Sequence, residues 1–233
     1  MNKILSIKNL RIKYKNKTII DGLAFDALKG ETVSLIWKSW VWKSSILKAI
    51  LWSIKYDWNI ELNSKNISYI PQKLDFDRTI PITSFEFIKL YNKNIKKESC
   101  EEILKSLAWE NLLDKKIWNL SWWELQKILI TNSLVKNPDL ILMDEPTAWI
   151  DTIWEDFFYS LISKVKSKFP ELTIIIISHN INIIYKNSDK ILFLHEKCYC
   201  FWKPEEISMQ WNITNFSDKE ITPFIHKHNH NHN

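Results

Sequence analysis

The sequence predicts an α/β fold: a mostly parallel sheet wrapped by helices, with a helix-rich lobe inserted in its middle. Two observations predict it. Short apolar runs of strand length alternate with helical patterns along the chain, the arrangement that parallel β-α-β units require. Between about 75 and 137 the pattern is helical throughout.

Residues 3–14, KILSIKNLRIKY, alternate apolar and polar, the period of a half-buried strand. TVSLI (32–36) is a short apolar strand, and ISYI (67–70) is another that stops at Pro71. The helical middle holds TSFEFIKLYN, CEEILKSLA and ELQKILITNSLVKN. LILM (140–143) is the next strand, followed by a helix near 152–168 and the strand LTIIIIS (172–178). A short helix near 180–187 and the strand KILFL (190–194) complete the series. The continuous apolar character of 173–178 fits a parallel strand buried on both faces. The expected organisation is one domain over 1–233. Its core comprises 1–74 and 138–225, its helical lobe 75–137 and its His-rich tail 226–233.

Composition narrows the function. The chain is 45% apolar and 25% charged, long enough for a sizeable core. A net charge of +5 without Lys/Arg clustering argues against a nucleic-acid footprint. Cys100, Cys198 and Cys200 form no even disulfide set, and no signal peptide is read, which predicts a reducing setting. No apolar run reaches the roughly 18 residues of a membrane span.

The most informative stretch is SLIWKSWVWKSS (34–45). It follows a strand, ends in Lys-Ser-Ser and precedes a helical run, the layout of a phosphate-binding P-loop. Such a loop wraps phosphates with backbone N–H groups at the positive end of a helix, and it needs glycine where the chain turns or approaches the anion. Here Trp37, Trp40 and Trp42 occupy the glycine places. The chain has 13 Trp and 2 Gly, where average usage would give roughly 16 Gly. Read with glycine, the loop becomes G-K-S-G-V-G-K-S-S and fits G-x-x-x-x-G-K-S/T. The same reading turns NLSWWELQK (119–127) into N-L-S-G-G-E-L-Q-K and DEPTAWID (144–151) into D-E-P-T-A-G-I-D. Trp58 and Trp202 also stand in turn-like contexts. The expectation is that the gene uses UGA for glycine and that the written sequence renders UGA as tryptophan.

With these motifs the chain resembles the ATP-binding subunits of ABC transporters over nearly its whole length. LSWWE (120–124), read as L-S-G-G-E, resembles the signature that separates this family from other P-loop ATPases. The resemblance implies a RecA-like P-loop NTPase core with a parallel sheet, antiparallel β strands at the N-terminus and an inserted α-helical lobe. It implies ATP and Mg²⁺ as cofactors and ATP hydrolysis as the reaction.

The residue roles it implies have physical reasons. Trp37, Lys38, Ser39, Trp40, Val41, Trp42, Lys43, Ser44 and Ser45 form the loop. Lys43 supplies a charge to the phosphates and Ser44 a hydroxyl to Mg²⁺. Asp144 ends an apolar strand where a carboxylate meets the metal, and Glu145 is the candidate general base for the attacking water. Gln72 matches the residue that senses the γ-phosphate and metal, and His179 the switch histidine. Tyr14 is the aromatic expected to stack on adenine. Asp151 matches the loop that crosses to a partner subunit. Ser121, Trp122 and Trp123 match the signature that binds the γ-phosphate held by the other subunit, which implies a homodimer closing on two ATP molecules.

The stretch PQKLDFDRTIPITSFEFIKL (71–90) and the short spacing from Lys43 to Gln72 resemble the zinc- and manganese-uptake group. This implies integral-membrane permease subunits, an extracytoplasmic metal-binding protein and a place on the cytoplasmic face of the membrane. The tail offers His226, His228, His230 and His232 at alternate positions, neutral ligands suited to zinc. Two alternatives stay open: a soluble ABC-type ATPase of another pathway, and a non-hydrolysing scaffold if the tryptophans are real.

Overall fold

The computed structural model describes residues 2–15, 17–37, 43–64, 66–72, 80–109, 111–147, 152–178, 184, 187–195 and 198–202. Strands β1 (Lys3–Tyr14), β2 (Lys17–Leu28) and β4 (Asp57–Leu62) form an antiparallel sheet in the order β2-β1-β4. The alternation in 3–14 places Leu5, Ile7, Leu10 and Ile12 in the core, each at most 1% exposed. Register shifts interrupt the β1–β2 pairing, which is why the alternation breaks at Lys8–Asn9.

The second sheet has the order β5-β6-β7-β3-β8-β9, built from β3 (Thr32–Trp37), β5 (Ile67–Ile70), β6 (Leu140–Asp144), β7 (Thr173–Ser178), β8 (Lys190–His195) and β9 (Cys198–Trp202). The first five run parallel, and β9 is antiparallel to β8. β6 and β7 are buried at every position. This explains their unbroken apolar runs, since both faces of the sheet are covered. One face carries Leu140 and Leu142 into the cluster with Ile46, Leu47 and Ile50 of helix α1 (Lys43–Ile50). The other carries Ile141 and Met143 into a cluster shared with the helical lobe.

That lobe contains α2 (Ser84–Tyr91), α3 (Lys97–Ser106) and α4 (Trp122–Leu134). Helix α2 starts with a capping box: Thr83 accepts from the Glu86 amide, and the Glu86 side chain accepts from the Thr83 amide. Two orphan amides of the helix start are thereby satisfied. Helix α5 (Thr152–Lys168) then crosses to β7. The sequence-based strands and the expected helix at 152–168 match these elements, and the expected antiparallel N-terminal strands are β1, β2 and β4. The expected short helix near 180–187 lies almost wholly outside the described residues.

Backbone geometry bears on the tryptophan question at one position above all. Trp52 has φ +53° just after α1. Its amide donates to the Ala49 carbonyl and the Ser53 amide to the Lys48 carbonyl, the pair of bonds that closes a helix with a left-handed residue, usually glycine. The Trp52 side chain is 60% exposed, so burial does not compensate the strain. Gly30, at φ +81°, shows a true requirement for glycine: a Cβ there would lie 2.6 Å from the Pro170 carbonyl oxygen. Trp58 and Trp202 are a correction. Both were expected in turns, and both lie in strands, β4 and β9. Extended backbone accepts any residue, so neither position demands glycine. Trp109, 3% exposed in the core, also lies outside the positive-φ set.

Candidate nucleotide-binding and metal site

Parallel strands gather their carboxyl ends on one edge of the sheet, the edge where α/β folds bind ligands. Three sequence-predicted residues sit at or just beyond those ends. Trp37 ends β3, Asp144 ends β6, and Gln72 follows β5 by two residues. The neighbouring order β5-β6-β7-β3 brings these ends side by side.

Asp144 is 3% exposed. Its Oδ2 accepts a hydrogen bond from the Tyr69 hydroxyl at 3.1 Å. Its Oδ1 is buried with no hydrogen-bond partner among the described residues. A buried carboxylate oxygen without a donor is costly unless a cation meets it, and the side chain lies on the sheet face that α1 covers, as Leu140 and Leu142 do. Ser44 and Ser45 lie in the first turn of α1 and are partly buried. A hydroxyl and a carboxylate are hard oxygen ligands of the kind Mg²⁺ takes, so this donor set fits the cation.

Glu145, 4% exposed, follows Asp144 with φ +44°. A left-handed glutamate is strained, and such strain clusters at functional sites. Its amide donates to the Ile177 carbonyl at 3.1 Å, which ties the turn to β7. Its Oε2 accepts from Gln72 Nε2 at 2.9 Å. The structure thus brings Gln72 to Glu145, 73 positions away in sequence and next to Asp144. Sequence reasoning missed Tyr69. The strand pairing supplies the signal: Tyr69 faces Leu142 across β5 and β6, two residues from Asp144 on the same face.

The signature forms a separate feature on the lobe. Ser121 caps α4: its Oγ accepts from the Glu124 amide at 3.2 Å, and Glu124 Oε2 accepts from the Ser121 amide at 2.9 Å. Lys115 Nζ donates to Glu124 Oε1 at 2.6 Å. That bond and the Ser121 amide hold the Glu124 carboxyl below its ordinary range. S-x-x-E in the sequence signals this box. Trp122 and Trp123 occupy the first two helical positions, with rings 4.6 Å apart and nearly perpendicular. Trp123 also meets Phe157 of α5 at 5.6 Å. Ser121 is exposed, and the first turn of a helix leaves its amides without intrahelical acceptors.

Tyr14 ends β1 with its ring 57% exposed, and Lys15 Nζ lies 5.9 Å from the ring centre. Lys38, Ser39, Trp40, Val41, Trp42, Asp151, His179, His226, His228, His230 and His232 lie outside the described residues, as does the side chain of Lys43. Among the described residues no cluster of three or more His, Cys, Asp or Glu is placed to hold a metal.

A sequence profile of the ABC transporter family matches residues 20–148. The chain belongs to the ABC transporter family. It is 33% identical to the zinc import ATP-binding protein ZnuC of Wigglesworthia glossinidia brevipalpis, over 99% of this chain and 100% of that one. It is 31% identical to the ZnuC of Rickettsia bellii, over 98% of each chain. Among solved structures, cbiO1 from Clostridium perfringens, part of the ABC transporter complex cbiONQ, superposes with a TM-score of 0.80 at 21% identity, covering 90% of this chain and 92% of that one. An ATP-binding cassette of an ABC transporter in its ADP conformation superposes with a TM-score of 0.75 at 20% identity, covering 88% and 93%. These two likenesses establish the fold: a P-loop NTPase core of the ABC type with its helical lobe.

Proposed function

We propose that this chain is the ATP-hydrolysing subunit of an ABC transporter that imports a divalent metal, zinc or manganese. The observation that carries the ATPase reading is the convergence of Asp144, Glu145 and Gln72 at the carboxyl edge of the sheet, with one Asp144 oxygen buried and unpartnered among the described residues. Kinship over almost full length with zinc import ATP-binding proteins supports the metal reading.

In this reading Lys43 and the loop amides hold the phosphates, and Tyr14 stacks on the base. Ser44, Asp144 and Gln72 would hold Mg²⁺, which would neutralise phosphate charge when bound. Glu145 accepts the proton of the attacking water, with His179 at the γ-phosphate. The hydrogen bond from Gln72 to Glu145 occupies one oxygen of the base, and this pair is the contact that nucleotide must rearrange. Ser121 and the first turn of α4 bind the γ-phosphate held by a second copy, with Asp151 beside the crossing. No helix among the described residues is long and apolar enough to cross a membrane. In this reading permease subunits form the path, with this chain on their cytoplasmic face. An extracytoplasmic binding protein delivers the metal.

The test is Glu145→Gln. The variant is expected to bind ATP and hold the dimer, while turnover falls by about 10²–10⁴, the usual worth of a general base. Near-normal turnover assigns the base elsewhere.

This chemistry also needs room for the phosphates, and so supports glycine at positions 37, 40, 42, 122 and 123 of the native chain. The left-handed backbone at Trp52 extends the same reading to a sixth position. Mass spectrometry of the peptide spanning 49–55 from native protein decides it: glycine is expected at 52, and an intact tryptophan refutes the reading.

A further inference from the structure

Most candidate features belong to the site already described or lack anything that names an occupant. The contact between Tyr69 and Asp144 goes further. The phenol sits half-buried at the edge of the cluster beneath α1. It reaches diagonally from β5 to the end of β6, a span that long side chains cover between adjacent strands. Its hydroxyl donates to Asp144 Oδ2 at 3.1 Å while Oδ1 has no partner among the described residues. We propose that Tyr69 is a positioning residue for the divalent cation of this ATPase: it holds one oxygen of Asp144 and reserves the other, Oδ1, as the metal ligand. The inference rests on the reading of Asp144 as a metal ligand.

Two points support a positioning role over simple packing. First, the acceptor is buried. A carboxylate with both oxygens unheld at this depth would turn toward any donor, and its ligand geometry would be lost. Second, the assignment is asymmetric. Oδ2 is taken by the Tyr69 hydroxyl, and Oδ1 is left over. Outer partners of this kind fix the orientation of metal ligands, and their loss typically costs 10–100-fold in metal affinity. A phenylalanine at position 69 would fill the same space without the hydroxyl.

The experiment compares the native full-length chain with Tyr69→Phe and Asp144→Asn. Mn²⁺, as a paramagnetic stand-in for Mg²⁺, is titrated against protein with a non-hydrolysable ATP analogue and followed by electron paramagnetic resonance. Nucleotide affinity is measured separately in EDTA. For Tyr69→Phe the expected result is about tenfold weaker Mn²⁺ binding, with nucleotide affinity in EDTA unchanged. Mn²⁺ affinity within twofold of the parent, with Asp144→Asn clearly weakened, overturns the role of Tyr69 and leaves the metal reading standing. Equal losses with and without metal make Tyr69 a packing residue and also overturn the proposal. If Asp144→Asn binds Mn²⁺ as the parent does, the metal reading itself fails.

Discussion

The end of β6 and the start of α4 hold the two halves of the proposed ATP site, and they are built in opposite ways. Asp144 and Glu145 are only 3% and 4% exposed, fixed by Tyr69, Gln72 and the Ile177 carbonyl. Ser121 is exposed, and its hydrogen bonds run to Glu124 and Leu125, three and four residues away. The first half is assembled by the fold, from residues far apart in sequence. The second is assembled by a single helical turn. Buried acids must be provided for within the chain, because solvent cannot hydrate them. An exposed cap has no such need and stays open to a group from outside. On the proposed reading, the difference teaches that the metal and base half is complete within one chain, whereas the signature half awaits a second copy.

The largest effect falls where the two halves share a dependence on small residues. A gene carrying glycine at all 13 tryptophan positions should bind ATP far more tightly than one carrying tryptophan, by more than 100-fold. An indole at 42 fills the anion site, and one at 37 or 40 opposes the turn. Side-by-side calorimetry of the two proteins reads this directly. Equal affinities would show that the loop tolerates indoles and would favour the scaffold alternative.

The second effect separates cap from ligand. Ser121→Ala removes the cap of α4, which costs about 1 kcal/mol, and removes the phosphate donor. Ser121→Asp keeps a good cap but sets a charge against the phosphate of the second copy. Both should lose ATP-driven dimerisation in light scattering. Only the alanine variant should show a lower melting temperature. A closed dimer with Ser121→Asp would remove the signature from the interface.

How much of this contrast was legible in the sequence follows from its physics. The signature, the loop and the acidic strand end are local patterns, so the motifs and the family resemblance they carry pointed to Ser121, Ser44, Asp144 and Glu145. The strands β3, β5, β6, β7 and β8 were equally plain, because burial on both faces leaves uninterrupted apolar runs. β2 and β4 were visible only through the family resemblance. KTIIDGLAFDAL contains Gly22 at φ +78° and pairs with shifted register, so its alternation is broken. The Tyr69–Asp144 and Gln72–Glu145 contacts span 75 and 73 residues and depend on which strands become neighbours. Trp58 and Trp202 were misplaced because polar or Pro-containing surroundings resemble turns even where a strand passes through.

A smaller effect concerns pH at the cap. Glu124 has its folded carboxyl pKa held below the ordinary range, first by Lys115 and then by the Ser121 amide. A depressed carboxyl contributes stability that is present above its unfolded pKa, about 4.3, and is lost as pH falls through the folded value. Exchange of the α4 first-turn amides should therefore accelerate below about pH 4 beyond the intrinsic trend. Glu124→Gln should remove that step. The ion pair is partly exposed, so the step is small. An unchanged profile in Glu124→Gln would assign the cap's stability to Ser121 alone.

The smallest effect on ATP chemistry belongs to the tail, where neither half of the site depends on the residues removed. Truncation of 226–233 should leave turnover unchanged, because every nucleotide motif lies between 14 and 179. What it should change is zinc binding. Four histidines spaced two apart in a polar segment do not make a rigid tetrahedral site, so whichever two or three imidazoles are deprotonated would hold the ion. Protons compete for the same nitrogens, and affinity should fall as pH drops through about 6.5. Calorimetric titration of Zn²⁺ into full-length and truncated protein at pH 7.5 and 5.5 checks both points. The full chain should bind at the higher pH and lose most of its binding at the lower, and the truncated chain should bind weakly at both. Identical uptake by the two chains would show that the tail is inert toward zinc, and the metal assignment would then rest on kinship and on the stretch that follows Gln72.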